Sequence, residues 1–228
     1  MNIIIIPGSY KPPHKGHLSL IEKLINKNKI KDKKQKIIII ISKKSRPLDN
    51  IFSYTISSKK DIQEGLLKYF PSNEIISLSK NKLIKKISEL DNINAEQSLK
   101  IWNIYFKYLK KKYRYYKYFP KIIFKIAETN NIIKETINTV LKSFKENPLS
   151  ITLMKSKKNA KNTRFKFLEE RYGKYIKTKL FPNIKDIDAT GMRLSILNNN
   201  RVLFDKYLPK DLEKNKKDKI WKILSYTK

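Results

Sequence analysis

The sequence predicts an α/β fold, a doubly wound parallel sheet of five strands with helices on both faces. Two observations predict it. The first is a set of short, unbroken aliphatic runs, Ile3 to Ile6 and Ile37 to Ile41, which read as strands buried on both faces of a parallel sheet. The second is that such runs alternate with stretches of helical periodicity along most of the chain.

The elements follow in order. Ile3 to Ile6 ends at Pro7-Gly8, and a loop holding Pro12 and Pro13 leads on. Leu18, Ile21, Leu24 and Ile25 then recur at helical spacing, so His14 to Asn26 is a helix entered just after the prolines. Lys36 to Ser42 is the second strand, completing one βαβ unit in about 40 residues. Ala95 to Lys110 is a helix, with Leu99, Trp102, Tyr105, Phe106 and Leu109 on its buried face. Pro120 to Ala127 is the third strand and Asn131 to Glu146 a helix carrying one apolar stripe. Ser150 to Met154 is the fourth strand, Thr163 to Arg171 a helix and Tyr175 to Phe181 the fifth strand. Gly191 to Asn198 and the remainder to Tyr226 form a C-terminal helical segment. Such an arrangement is Rossmann-like.

Residues 47 to 92 break the alternation. They are lysine-rich and contain no long buried strand, so they read as a mostly helical insertion in a single domain of 1–228. Neither an internal repeat nor a Gly/Ser-rich linker interrupts the chain. The stretch Tyr108 to Phe119, YLKKKYRYYKYF, interleaves tyrosines with positive charge. It can be a helix end whose tyrosines pack while its lysines are solvated, or a surface that stacks on single-stranded bases.

Composition narrows the function classes. With no cysteine, neither a disulfide framework nor a thiolate metal site is possible, which fits a reducing, cytoplasmic setting. The apolar runs are far shorter than the roughly 20 residues a bilayer needs, so no membrane span is expected. No signal peptide is expected either. Lys and Arg number 52 against 20 Asp and Glu, giving a net charge of +32. A field of that size draws nucleic acid, acidic surfaces and free nucleotides alike, although the Lys, Asn and Ile bias also suits an AT-rich coding sequence.

The chemistry concentrates in one loop. Gly8-Ser9-Tyr10-Lys11-Pro12-Pro13-His14-Lys15-Gly16-His17 contains both histidines of the chain and two of its five glycines. It joins the first strand to the first helix, the place where open α/β sheets bind ligands. Gly8 permits close backbone approach to a phosphate, and the helix start offers amide groups and partial positive charge. His14 and His17 share nearly one side of the first turn and offer ring N–H donors, with Gly16 leaving room for a nucleotide. Ser9 and Tyr10 complete the set of nucleotide contacts expected from this loop.

This string resembles the HxGH signature of the nucleotidylyltransferase superfamily, which includes nicotinamide-mononucleotide, phosphopantetheine and cytidylyl transferases. A second segment, Asp186-Ile187-Asp188-Ala189-Thr190-Gly191-Met192-Arg193, resembles the family's ISxTxxR segment. Further likeness runs through Leu203 to Pro209, and the whole resemblance covers roughly 2–46 and 93–210. It implies that Thr190 binds the β/γ-phosphates and Arg193 neutralises the departing pyrophosphate. It also implies a lysine after the second strand that reaches the reacting phosphates, Lys44 with Lys43 beside it. Arg164, in a stretch resembling an Arg-Phe segment of the family, would contact nucleotide.

The implied reaction moves a nucleotidyl group, adenylyl by preference, from a nucleoside triphosphate to a phosphate-bearing acceptor. Mg2+ would accompany the triphosphate, and no protein metal site is implied. Two departures stand out. The family usually has Ser where this chain has Asp188, and the Asp usually found after strand four is replaced by Lys157-Lys158-Asn159. A carboxylate facing incoming phosphates would repel them unless paired or turned away. The plain alternative for this segment is that Asp188 or Thr190 only caps the helix and Arg193 is a surface residue. The rival expectation is therefore a catalytically weak or inactive fold serving as a basic component of a virion or ribonucleoprotein particle. The lysine-heavy composition resembles that of nucleotidyltransferases from large DNA viruses and phages. Class I aminoacyl-tRNA synthetases share the HxGH element, but this chain has no KMSKS-type loop.

Overall fold

The computed structural model describes residues 1–29, 34–43, 59–60, 63, 76–79, 81–83, 93–156, 165–181, 187–197 and 199–225. Five strands form one all-parallel sheet: β1 (Asn2–Gly8), β2 (Gln35–Ile41), β3 (Lys121–Ile126), β4 (Ser150–Ser156) and β5 (Ile176–Phe181). Their order is β3-β2-β1-β4-β5. The chain thus grows outward from β1 through β2 and β3, then returns to β1 and grows the other way. The strand order reverses between β1 and β4.

Isoleucine builds the centre. Ile4, Ile5 and Ile6 of β1 pair in register with Ile37, Ile38 and Ile39 of β2. Branching at Cβ suits a pleated surface covered on both sides, and β2 is buried from Lys36 to Ile41. Successive side chains point to opposite faces, so the sheet carries two cores.

On one face Ile4, Ile6, Ile37, Ile39 and Ile41 meet α1 (Lys15–Lys29) and α2 (Ala95–Lys112). The same core takes in α5 (Ala189–Leu197), α6 (Arg201–Asp205) and α7 (Lys214–Ser225). On the other, Ile3, Ile5, Ile38 and Ile40 meet Val140 of α3 (Ile132–Phe144) and Leu168 of α4 (Lys166–Tyr172). Helices cover both faces, as the alternation predicts.

Local signals set the helix starts. Asn94 and Gln97 form a reciprocal capping box at the head of α2, at 2.8 and 2.9 Å. Asn131 accepts from the amides of Ile133 and Lys134 to open α3. The C-terminal segment is not one continuous helix. Turns from Lys206 to Glu213 separate α6 from α7, so the stretch folds back and α7 packs on α2.

The expected insertion, 47–92, lies mostly outside the described residues; within it, 59–60, 63, 76 and 81–83 are helical. Among the described residues no helix is long and apolar enough to cross a membrane.

Candidate functional site

The loop that follows β1 leaves the sheet at the carboxyl ends of the strands, beside the point where their order reverses. In open α/β sheets this is where ligands bind.

Both histidines stand there. His14 immediately precedes α1 and His17 lies in its first turn. Their rings stack, with centroids 3.8 Å apart and planes 29° from parallel. The Gly16 amide donates to His14 Nδ1 at 3.1 Å, and the His14 amide donates to His17 Nδ1 at 3.3 Å. Each Nδ1 therefore accepts, and the proton of each neutral ring is assigned to Nε2.

Burial keeps them neutral. His14 is only 6% exposed, and burial pushes its ring down to about 4. The Asp188 carboxylate opposes that shift and Lys15 adds a small push in the same direction. His17 is also held below the ordinary imidazole range, first by burial and then by its neighbour His14. At neutral pH the pair offers two Nε2–H donors and no net charge.

The head of α1 differs from expectation. Its first amides already have protein acceptors: Lys15 donates to the Tyr207 carbonyl at 2.8 Å, and Gly16 to His14 Nδ1. His17 and Leu18 donate to the His14 carbonyl at 2.9 and 3.2 Å. These four amides are engaged, so among the described residues the donors of this turn that remain unengaged are the imidazole N–H groups, with the field of the helix end behind them.

Two glycines also serve other ends than the sequence suggests. A Cβ at Gly8 would lie 2.6 Å from the Tyr10 ring, so this glycine makes room for Tyr10 to fold back. A Cβ at Gly16 would lie 2.9 Å from His14 Cε1, so the space beside Gly16 belongs to the His14 ring.

Tyr10 turns inward. Its backbone has φ of 52°, a strained position for a side-chain-bearing residue. In return its ring is buried, its hydroxyl donates to the Ile6 carbonyl at 3.1 Å, and its ring meets those of His17 and Trp102 edge-on at 4.9 and 5.5 Å. It is a support under His17. Ser9 keeps a buried Oγ with no hydrogen-bond partner among the described residues.

Thr190 and Arg193 belong to α5, and the structure brings them to the same loop. Arg193, 7% exposed, donates from Nη1 to the Lys11 carbonyl at 2.5 Å and from Nη2 to Thr190 Oγ1 at 3.3 Å. Asp188 is exposed, and its Oδ1 accepts from the Gly191 amide at 2.7 Å. The carboxylate is thereby turned onto its own helix as a cap. Lys43 is exposed just past β2, and its carbonyl accepts from Lys11 Nζ at 3.3 Å. Lys44 and Arg164 lie outside the described residues.

Three side chains that sequence reasoning passes over also hold the loop. Lys11 is 2% exposed, Tyr105 donates to the Pro13 carbonyl at 3.3 Å, and Tyr207 packs its hydroxyl where a Gly191 Cβ would stand. Tyr105 was legible as a core residue of α2. Nothing in its spacing marks a contact 92 positions away.

No protein-family model matches the chain, and no curated protein sequence matches it.

Proposed function

We propose that this chain transfers a nucleotidyl group from a nucleoside triphosphate, ATP by preference, to a phosphate-bearing acceptor, releasing pyrophosphate. The observation that supports the reading best is the stacked His14–His17 pair, neutral, with neither Nε2–H bonded to any of the described residues, at the sheet's point of strand reversal.

Such a transfer asks for positioning and charge stabilisation more than for proton movement. An oxygen of the acceptor phosphate attacks the α-phosphorus in line. The bond to the bridging oxygen breaks, and its electron pair leaves with pyrophosphate. The attacking oxygen is already ionised at neutral pH, so no general base is needed. The two imidazole N–H groups would donate to non-bridging α-phosphoryl oxygens, where charge gathers. Donors that carry no charge of their own hold the phosphate without locking the product in place. Thr190, Arg193, Lys43, Lys44 and Arg164 enter through the family resemblance, at the β/γ end and the nucleotide.

Mg2+ would neutralise charge on the triphosphate. In this reading its ligands are mostly phosphate oxygens and water.

One observation favours a second reading, a non-catalytic fold retained as a basic structural component. The Arg193 guanidinium is buried and engaged with the Lys11 carbonyl and the Thr190 hydroxyl. Calorimetric titration of ATP and CTP with Mg2+, at moderate salt, into wild-type protein and His17→Ala separates the two. Micromolar binding of one nucleotide, lost in the variant, is the expected result. Weak, equal binding of both, indifferent to His17, would favour the structural role.

A further inference from the structure

A basic surface carrying an exposed aromatic ring lies at the other end of the sheet. From Gln97 to Ala127 the chain carries nine basic residues and no acidic one. The helix α2 connects β2 to β3, so its last turn, Lys110 to Lys112, and the turns that follow lie at the amino ends of the strands, away from the histidine loop.

Most tyrosines of this segment are spent on structure. Tyr108 donates to Asp211 at 2.6 Å, Tyr116 donates to Asn26 at 3.1 Å, and Tyr113 is buried. The nearby carboxylates are spent as well. Lys112 pairs with Glu22 and Asp211 at 2.9 and 3.1 Å, and Lys111 pairs with Glu213 at 2.5 Å. These contacts pin the turn to α1 and to the segment before α7.

One ring is left outside. Tyr115 is 82% exposed, with the Arg114 guanidinium 4.6 Å from its ring centroid. Lys117 stands 5.3 Å from the half-buried Tyr118 ring. Among the described residues no carboxylate pairs with Lys110, Arg114 or Lys117. Lys23 and Lys27 are exposed on α1, next in sequence to the residues that anchor the turn. The result is a rigid turn that displays an aromatic face among cations.

We propose that this turn binds single-stranded nucleic acid, with Tyr115 stacking on an unpaired base and Arg114, Lys117 and Lys110 following the phosphates. An aromatic ring on a turn reaches a base only when that base is unstacked, which selects single strands over duplex. A basic surface alone would not make that selection, because duplex carries the denser phosphate charge. The proposal does not rest on the nucleotidyl-transfer reading, since it concerns the opposite end of the sheet.

Fluorescence anisotropy with labelled single strands of RNA and DNA, and with the matching duplex, tests it over a range of salt. Single strands should bind more tightly than duplex. Tyr115→Ala should weaken single-strand binding roughly tenfold while leaving the salt dependence unchanged. Arg114→Gln with Lys117→Gln should lower the log–log salt slope by about 1.4, which is roughly 0.7 for each lost contact. The control is Lys134→Gln with Lys142→Gln on α3, over the other face of the sheet. Duplex binding as tight as single-strand binding, wild-type affinity in Tyr115→Ala, or an equal loss in the α3 control would overturn the proposal. Any of these would reduce the binding to attraction by net charge. Tyr115 and Arg114 are exposed, so circular dichroism melts of their variants should match wild type.

Discussion

The Arg193 guanidinium donates to the carbonyl of Lys11 at 2.5 Å, joining residues 182 positions apart. That bond ties α5 to the loop that presents His14 and His17. The backbone bond from Lys15 to Tyr207 ties the same loop to the turn after α6. The C-terminal third of the chain thus helps to fix the shape of the loop after β1.

Arg193→Ala should therefore cost folding stability as well as nucleotide binding. A hydrogen bond to a charged group contributes about 1.5–3 kcal/mol, and this one is buried with a second bond to Thr190 beside it. Urea unfolding should show a loss of about 2–3 kcal/mol. An unchanged unfolding midpoint alongside abolished nucleotide binding would mean that Arg193 serves only the ligand.

Gly191→Ala sets two effects against each other. Alanine gains about 1 kcal/mol over glycine within a helix. Its Cβ, however, would stand 1.9 Å from the Tyr207 hydroxyl, and overpacking of that kind costs about 1–3 kcal/mol. The clash should win, giving net destabilisation and weaker nucleotide binding through the Tyr207–Lys15 bond. Adding Tyr207→Phe should recover part of the loss in a double-mutant cycle, because the hydroxyl is the closest atom.

The outline of the fold was legible because isoleucine runs and helical stripes report burial directly. β1, β2 and α1 fall within a few residues of their expected limits, and both motif segments meet in space. The inner arrangement of the loop was not legible. That Tyr10 would take a positive φ and turn inward depends on space created by Gly8 and on Trp102 behind it. Gly8 and Gly16 were read as openings toward a ligand, whereas side chains of the protein itself fill the space beside them. The contacts of Lys11, Tyr105 and Tyr207 with the loop are set by tertiary packing, which no local pattern encodes. In sequence Asp188 reads either as an obstacle to phosphate or as a helix cap, and its bond to the Gly191 amide decides for the cap.

Trp102 should report on the site. It meets Tyr10 edge-on at 5.5 Å, and Tyr10 meets His17 at 4.9 Å, so a ligand that shifts His17 perturbs the tryptophan's surroundings. The only other tryptophan, Trp221, packs on Phe204. In a Trp221→Phe protein, titration with ATP and Mg2+ should change Trp102 emission with the midpoint found by calorimetry. Full binding by calorimetry with silent emission would show that Tyr10 does not relay the site's occupancy.

Acidification should loosen the fold through His14. The ring falls to about 4 in the folded protein against an ordinary value near 6.5, because burial penalises its charged form. Between those values the unfolded chain binds the proton and the folded chain does not. Stability therefore rises with pH across this window and falls as pH drops from about 6.5 towards 4. Protonation would also turn His14 Nδ1 into a donor and break its bond with the Gly16 amide. The loss attributable to His14 is about 3 kcal/mol across the window, and His17, shifted in the same direction, adds to it. Urea midpoints taken from pH 7.5 down to about 4.5 should decline in wild type and decline less in His14→Gln, which carries no titrating ring. Parallel curves for the two proteins would mean that the His14 ring accepts its proton within the fold, and so carries charge into the loop after β1.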